Sequence, residues 1–544
     1  MSVASNVTSG FVDLATYDEL EKYMYGGADA TAYFVRETRK STWFTQVPVA
    51  LTRSSGDAQF GQEWSAQISR SGDYLLNTWL QVTFPSVKAV STSGTVAAAS
   101  GKLPQLRWCH NLMHNLVEEA SITFNDLVAA RFDSFHLDFM SQFAVPESKQ
   151  GGYQAMIGAN SSGCQPVTAG SAALCGQHSL SPNAANLEDG YSMQQHDGLD
   201  GTAPNTQDGL PATTLYLPLP FFFSRDSGVA LPTAALPYNE MRINLKFRNW
   251  NQLLLVSDLG AQFANCRGVE STTITTNSWD GSANTPSTYT LNATPKLTNV
   301  HVWGNYAIVS NDERKRMACA PRDMLVEQVQ SAPRQSYDPA TNSSPSYNLR
   351  FSHAIKALFF AVRNVTCANE WSYYTVAQPL GGHGVADGGA ALDVANHSQF
   401  PDFFNSHYLS AKHSRGSIHN NNPIDNVNLV YENTARLQNM GTGYHSLVQP
   451  HFHAPKSGAR EPGYHMYSYS LDFASLDPLG STNYGKLTNV SLSPNASSAV
   501  VAAAGTRSEG LNALHTGQKY QFVCTAINNN IIRISGGALG FPVL

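Results

Sequence analysis

Histidines are the residues whose type and spacing come nearest to chemistry, and two pairs of them have metal-ligand spacing. His110 and His114 lie four apart, which on a helix places both imidazoles on one face. No carboxylate stands between them, the segment that follows alternates as a strand, and Cys109 alone does not complete a ligand set, so both read as structural histidines. His451 and His453 flank Phe452. On a strand, positions i and i+2 point to the same side, which is how two ligands can be offered to one metal. Such a site also needs a carboxylate and a further histidine. Glu461 stands eight residues past His453, beside Pro462, and His465 or His515 would have to supply the last ligand. The set is incomplete, and the pair reads as solvent- or interface-facing.

The other candidates also reduce to structure. No GxxxxGK[ST] phosphate loop, GxSxG elbow or HExxH helix occurs. Gly480 to Lys486 comes close to a phosphate loop, but Leu487 stands where the metal-holding hydroxyl belongs, so the segment reads as a turn. Gly381-Gly382-His383-Gly384 has neither the lysine nor a following helix pattern and reads as a loop. Phe221-Phe222-Phe223 reads as a core strand whose outer ring packs on another subunit or domain, with Arg225 and Asp226 as a loop salt bridge. Arg314, Lys315 and Arg316 are too interspersed with acids for more than a solvated helix face or a rim contact. No catalytic, cofactor-binding or metal-binding residue is therefore assigned.

The elements that would position these residues are mostly strands. Glu240 to Arg248 alternates without error, with Met241, Ile243, Leu245 and Phe247 on one face. Tyr467 to Phe473 and Leu116 to Phe124 alternate too, the latter ending in an Asn125-Asp126 turn, and Phe351 to Val362 is apolar on both faces, as an interior strand is. Helices are few. Asp13 to Tyr25 has three- and four-residue apolar steps stopped by Gly26-Gly27, and Ser310 to Glu313 is a capping box before a short helix.

Length and composition bound the function. At 544 residues the chain exceeds what one core usually organises, and its 14% charged content is low against 42% hydrophobic residues, as if much of the surface were covered. The formal net charge of -6 and the absence of a long basic run argue against nucleic acid as a direct ligand. Met1 to Gly10 lacks the pattern of a secretory signal, and no apolar stretch is long enough to span a bilayer. The cysteines are 7, an odd number, scattered and never spaced CxxC, which reads as reduced thiols in a cytosolic setting.

An order of landmarks repeats. Strands near Ser71, Asn115, Leu217 and Glu240 are echoed near Ser352, Asn428, Tyr467 and Lys486, with long surface excursions at Gln150 to Thr214 and Thr366 to Asp425. The expected division is an arm with a short helix over 1–30, a first sandwich over 31–264, a linker over 265–295 and a second sandwich over 296–544.

Several blocks in order resemble the major capsid proteins of iridoviruses, within the large icosahedral DNA viruses that share a double jelly-roll capsid protein. They include Phe11 to Asp18, Met24 to Gly27, Ser71 to Asn77, Leu217 to Gly228, Leu236 to Glu240, Arg322 to Gln330, Arg350 to Ala354, Val430 to Thr434, Gly480 to Gly485 and Gly540 to Pro542. The resemblance runs nearly end to end. It implies an all-β chain of two tandem eight-stranded jelly-roll sandwiches with long surface loops and a few short helices. It further implies a homotrimeric pseudo-hexagonal capsomer that meets neighbouring capsomers, penton and minor capsid proteins, in a shell close to an internal membrane, made and assembled in the host cytoplasm. No enzyme activity, cofactor or direct nucleic-acid contact is implied. The alternative is a cupin-like jelly-roll metalloenzyme or a glycan-binding protein, for which the His451/His453 pair and the surface aromatics speak.

Overall fold

The computed structural model describes residues 3–36, 38, 40–87, 89–91, 106–158, 212–259, 264–279, 284–319, 321–366, 368–369, 371–376, 422–456, 458, 463–504 and 518–540. Most of both expected excursions, including Gly381 to Gly384, lies outside these residues, as do Glu461 and His515. The chain forms two compact units, Met1–Phe44 and Thr45–Leu544.

In the first unit the single helix expected over Asp13 to Tyr25 is two, Val3–Ala15 and Glu19–Tyr25. Thr16 Oγ1 donates to the Asp13 carbonyl at 2.6 Å and closes the first. Asp18 accepts from the Glu19 amide at 2.8 Å while Glu21 accepts from the Asp18 amide at 3.3 Å, a capping box that starts the second. Phe11, Leu14, Leu20, Tyr23, Tyr33 and Phe34 all stand exposed in this unit.

The second unit begins with a sandwich of a four-stranded and a five-stranded sheet. The four-stranded sheet runs Phe44–Ala50, Thr298–Val309, Tyr74–Phe84, Thr213–Pro218, and the five-stranded one Thr52–Ser55, Glu63–Gln67, Met241–Phe247, Val117–Phe124, Leu127–Asp133. Alternation explains Met241–Phe247: Met241, Ile243, Leu245 and Phe247 are buried while Arg242, Asn244 and Lys246 turn outward, and Ile243 pairs with both Ile122 and Ala66. Asn125 and Asp126 take φ of 49° and 66°, the left-handed pair that a two-residue hairpin requires.

The second sandwich stacks a sheet whose main path is Arg322–Ser331, Tyr520–Ser535, Ala354–Asn364, His465–Ser468 on another of Tyr347–Asn348, Val490–Ala496, Ile424–Tyr431, Thr434–Gly441. The main paths of this sandwich make eight strands, and the first has one more. The landmark repeat is a repeat of pairings. Tyr74–Phe84 lies between Thr298–Val309 and Thr213–Pro218 as Ala354–Asn364 lies between Tyr520–Ser535 and His465–Ser468. Val117–Phe124 pairs with Met241–Phe247 and turns into Leu127–Asp133, as Ile424–Tyr431 pairs with Val490–Ala496 and turns into Thr434–Gly441. Glu432 and Asn433, with φ of 45° and 66°, mirror the Asn125-Asp126 turn.

Residues 265–295, read as a linker, hold most of Ala264–Gly268 and all of Thr273–Trp279 and Asn284–Leu291, in two three-stranded sheets. These strands are Thr-, Ser- and Asn-rich, so their period-2 hydrophobicity is faint. Thr298–Val309, placed by sequence in the second sandwich, pairs with Tyr74–Phe84 of the first.

Two further expectations give way. Phe221 to Phe223 is not a strand: Pro218 and Pro220 end the extended run and Phe222–Ser224 forms a 3-10 turn, which points all three rings inward. No ring is left for another subunit. Tyr467 to Phe473 is strand only within His465–Ser468, and beyond it the backbone turns, leaving Leu471 exposed.

Candidate functional site at the seam between the sandwiches

The helix Ser134–Phe143, from the first sandwich, builds the seam. Asp133 caps it by accepting from the His136 amide at 2.9 Å, and every residue of the helix is buried. Phe135, Phe139, Met140 and Phe143 pack on Ala357, Phe359 and Ala361, Met466, and Val523 and Ile527, on the face of the second sandwich that points away from its own core. Ile355, Leu358, Phe360 and Val362 fill that core. The expected two-sided apolar strand is therefore real, and its second side is covered by this helix. Each large side chain so buried contributes about 1.5–3 kcal/mol.

A polar network runs beside this apolar contact. Asp138, fully buried on the helix, accepts at Oδ2 from Ser372 Oγ at 2.8 Å and from the Tyr374 hydroxyl at 2.9 Å, both from the second sandwich. Its Oδ1 lies 2.8 Å from His114 Nδ1 and 3.3 Å from Asn111 Nδ2. A carboxylate accepts only, so Nδ1 donates to it, while Nε2 meets the Tyr153 hydroxyl 2.8 Å away. Burial, with the Asp138 charge adding to it, pushes the Tyr374 and Tyr153 phenols up, so both stay protonated donors. Asn115 donates to Ser372 at 2.8 Å. Ser372 thus serves the carboxylate rather than the imidazole, and every member of the group but the half-buried Tyr153 is buried. The group ties the two sandwiches together.

Charge completes the seam. Arg248, buried on the first sandwich, donates to the Asn115 carbonyl at 2.7 Å and to Ser134 Oγ at 3.0 Å, and lies 3.8 Å over the Trp371 ring. Burial pulls its guanidinium down to about 10, still charged at neutral pH. Trp371 Nε1 donates to the Gln252 carbonyl at 3.0 Å and Asn369 to that of Asn251 at 2.6 Å. Arg225, read as the partner of Asp226, instead donates to Glu327 of the second sandwich at 2.8 Å, and Glu327 also takes the buried Lys356 ammonium. Arg314 clasps Asp73 of the first sandwich through two bonds of 2.9 Å. Apart from Glu327 and Lys356, which are 29 positions apart, these partners could not be read from spacing, because each pair joins residues 100 or more positions apart.

The histidine pairs fall as follows. His114 sits in the seam on the short helix Leu112–Leu116, and His110 is buried just before it. His451 and His453 lie on the helix Gln449–His453, begun by Pro450, so i and i+2 diverge instead of sharing a strand face. His453 Nδ1 meets the Leu471 carbonyl at 3.0 Å, while His465 is buried against Asn422 and Thr442. Among the described residues no cluster of three or more His, Cys, Asp or Glu is placed to hold a metal, and no helix is long and apolar enough to cross a membrane. Gly480 to Lys486 forms the short strand Thr482–Asn483 and the turn Tyr484–Lys486.

Comparison with known proteins bears on what this body is. Residues 32–309 match the family model described as the major capsid protein N-terminus, and residues 313–540 the model of the large eukaryotic DNA virus major capsid protein. The chain is 51% identical over 546 residues to the major capsid protein of Invertebrate iridescent virus 6, covering 100% of each, and 38% identical over 542 residues to that of Frog virus 3, covering 99% of each. The chain belongs to the major capsid proteins of large eukaryotic DNA viruses. Solved structures share its architecture. The PBCV-1 virus capsid model superposes with a TM-score of 0.61 at 18% identity over 94% of this chain and 100% of that one. The Faustovirus major capsid protein gives 0.61 at 11% over 95% and 94%. The two sandwiches are the double jelly roll of this capsid family, and the chain is a structural subunit rather than an enzyme.

Proposed function

We propose that three copies of this capsid protein associate about a three-fold axis into a pseudo-hexagonal capsomer, and that such capsomers tile the icosahedral shell. The observation that carries this reading is the repeated pairing scheme of two sandwiches locked by a buried seam. Three such bodies offer six similar sandwiches around one axis, and closed symmetry favours a ring of this kind. The low charge content suits obligate contacts, which commonly bury about 2,000–5,000 Å². Contacts with neighbouring capsomers, penton and minor capsid proteins belong to the same reading, with the exposed aromatics of the N-terminal unit as the inter-capsomer arm. The net charge of -6 suits a shell kept apart from its genome by an internal membrane. Cys109 and Cys524, buried thiols, suit assembly in the reducing cytoplasm.

The equivalence of Thr298–Val309 with Tyr520–Ser535 supports a boundary later than 265–295, at the helix Asn311–Cys319. Native mass spectrometry of the purified chain tests the capsomer directly: a trimer is expected, and a protein that stays monomeric at high concentration overturns it.

A further inference from the structure

His465 stands where the two sheets of the second sandwich meet at one end, and its environment selects the neutral imidazole. The residue is fully buried on His465–Ser468, in one sheet. Its Nε2 lies 3.0 Å from Asn422 Nδ2 and 2.6 Å from Thr442 Oγ1, and these two residues flank the Ile424–Tyr431 and Thr434–Gly441 strands of the other sheet. Asn422 Oδ1 accepts from the Ile424 amide at 3.2 Å, so the amide is turned with its NH2 toward the ring. Asn422 Nδ2 also donates to Thr442 Oγ1 at 2.7 Å, which leaves the threonine hydroxyl to donate to the imidazole. Nε2 is thus an acceptor of two donors.

The same three residues tie several segments. The Asn422 carbonyl accepts from Ser497 Oγ at 2.8 Å, Ser497 N donates to the Pro423 carbonyl at 3.0 Å, and Ser446 Oγ donates to the Thr442 carbonyl at 2.9 Å. Phe360 stacks on His465 and meets a second buried imidazole, His445, edge-on, with ring centroids 5.3 Å and 5.4 Å away. His445 Nδ1 meets the Met466 carbonyl at 3.2 Å, and the phenols of Tyr444 and Tyr467 pack against its ring. Among the described residues, the titratable groups facing the pair are these phenols and the two imidazoles themselves. Among the described residues no carboxylate pairs with either ring.

We infer that Asn422, Thr442 and His465 form an acid-sensitive latch between the two sheets of the second sandwich, closed while the imidazole is neutral and released when it takes up a proton. A proton on Nε2 sets N–H against the Asn422 NH2 and forces the Thr442 hydroxyl to reverse, with no counter-charge among the described residues to offset burial. Burial holds His465 at about 3, with the neighbouring His445 lowering it further, and burial holds His445 at about 4, both below the ordinary 6.5. The sign follows: the unfolded chain binds the extra protons, so stability is full above pH 6.5 and falls as pH drops toward 4 and 3. The latch does not depend on the trimer.

The test compares the full chain with His465→Gln, whose side-chain oxygen still accepts from Asn422 but does not titrate. Calorimetric unfolding near pH 5 should take up about one proton fewer in the variant. The Ile424 amide should keep its exchange protection down to pH 5 and lose it between pH 5 and pH 3 in the unmodified chain, and keep it throughout in the variant. Equal proton uptake in the two overturns the latch. Should the variant not fold, NMR titration of the unmodified chain decides: a His465 that stays neutral below pH 5 is expected, and one that protonates near pH 6.5 with Ile424 still protected overturns it.

Discussion

The Tyr374 hydroxyl donates to Asp138 across 2.9 Å, joining a residue of the second sandwich to a helix of the first with both side chains buried. One carboxylate therefore anchors two halves that a sequence repeat alone would allow to hinge. Most interfaces between domains of one chain are small and polar enough to permit motion, whereas this one combines a buried polar network with a continuous apolar helix face.

Asp138→Ala removes the acceptor for Ser372, Tyr374 and His114 at once, leaving their donors buried. A loss of about 3–5 kcal/mol in urea unfolding is expected, and less for Asp138→Asn, which keeps one oxygen.

Phe139→Ala empties the middle of the helix face that covers Phe359 and Tyr464. The expected loss is about 3–5 kcal/mol, read from the denaturant midpoint with the slope unchanged.

Glu327 and Lys356 act as a unit. Lys356→Met and Glu327→Gln should each cost about 3–5 kcal/mol, since either leaves a buried partner uncompensated. The double substitution should cost less than the sum, a coupling that a double-mutant cycle reads.

Asp73 gives the first sandwich an acid limit. Burial by itself raises its carboxyl, but the Arg314 guanidinium and the Val309 amide outweigh burial and hold it below the usual 3.8. Its contribution is present above pH 3.8 and is lost as pH falls through the lowered folded value. Arg314→Ala should raise the Asp73 carboxyl by NMR titration and move acid unfolding to higher pH.

Removal of the residues before Gly26 should leave the melting temperature of the Thr45–Leu544 unit unchanged and prevent normal shells. Ordinary particles from the shortened chain, seen by electron microscopy, would refute the arm reading.

What could be read from the sequence was local. Met241–Phe247 announced itself because one face is wholly apolar, and Ala354–Asn364 because its run from Ala357 to Val362 is apolar on both faces. Phe221 to Phe223 and His451 to His453 misled because short apolar or aromatic runs fit strand and helix alike, and Pro218, Pro220 and Pro450 were the signals that separate them. The seam stayed hidden for a different reason. Asn115 meets Ser372 and Arg225 meets Glu327 only after both sandwiches exist, and no periodicity encodes such partners.

The helix Ser134–Phe143 also sets an order of events during synthesis. Its phenylalanines leave the ribosome long before Tyr520–Ser535, the strand that supplies Val523 and Ile527, and the lag of roughly 380 residues lasts about 20–80 s at cellular elongation rates. For that interval Phe135, Phe139 and Phe143 lack part of their final cover. Exposed rings of this kind favour aggregation, so the helix that locks the finished subunit also leaves the growing chain vulnerable until Tyr520–Ser535 has been made.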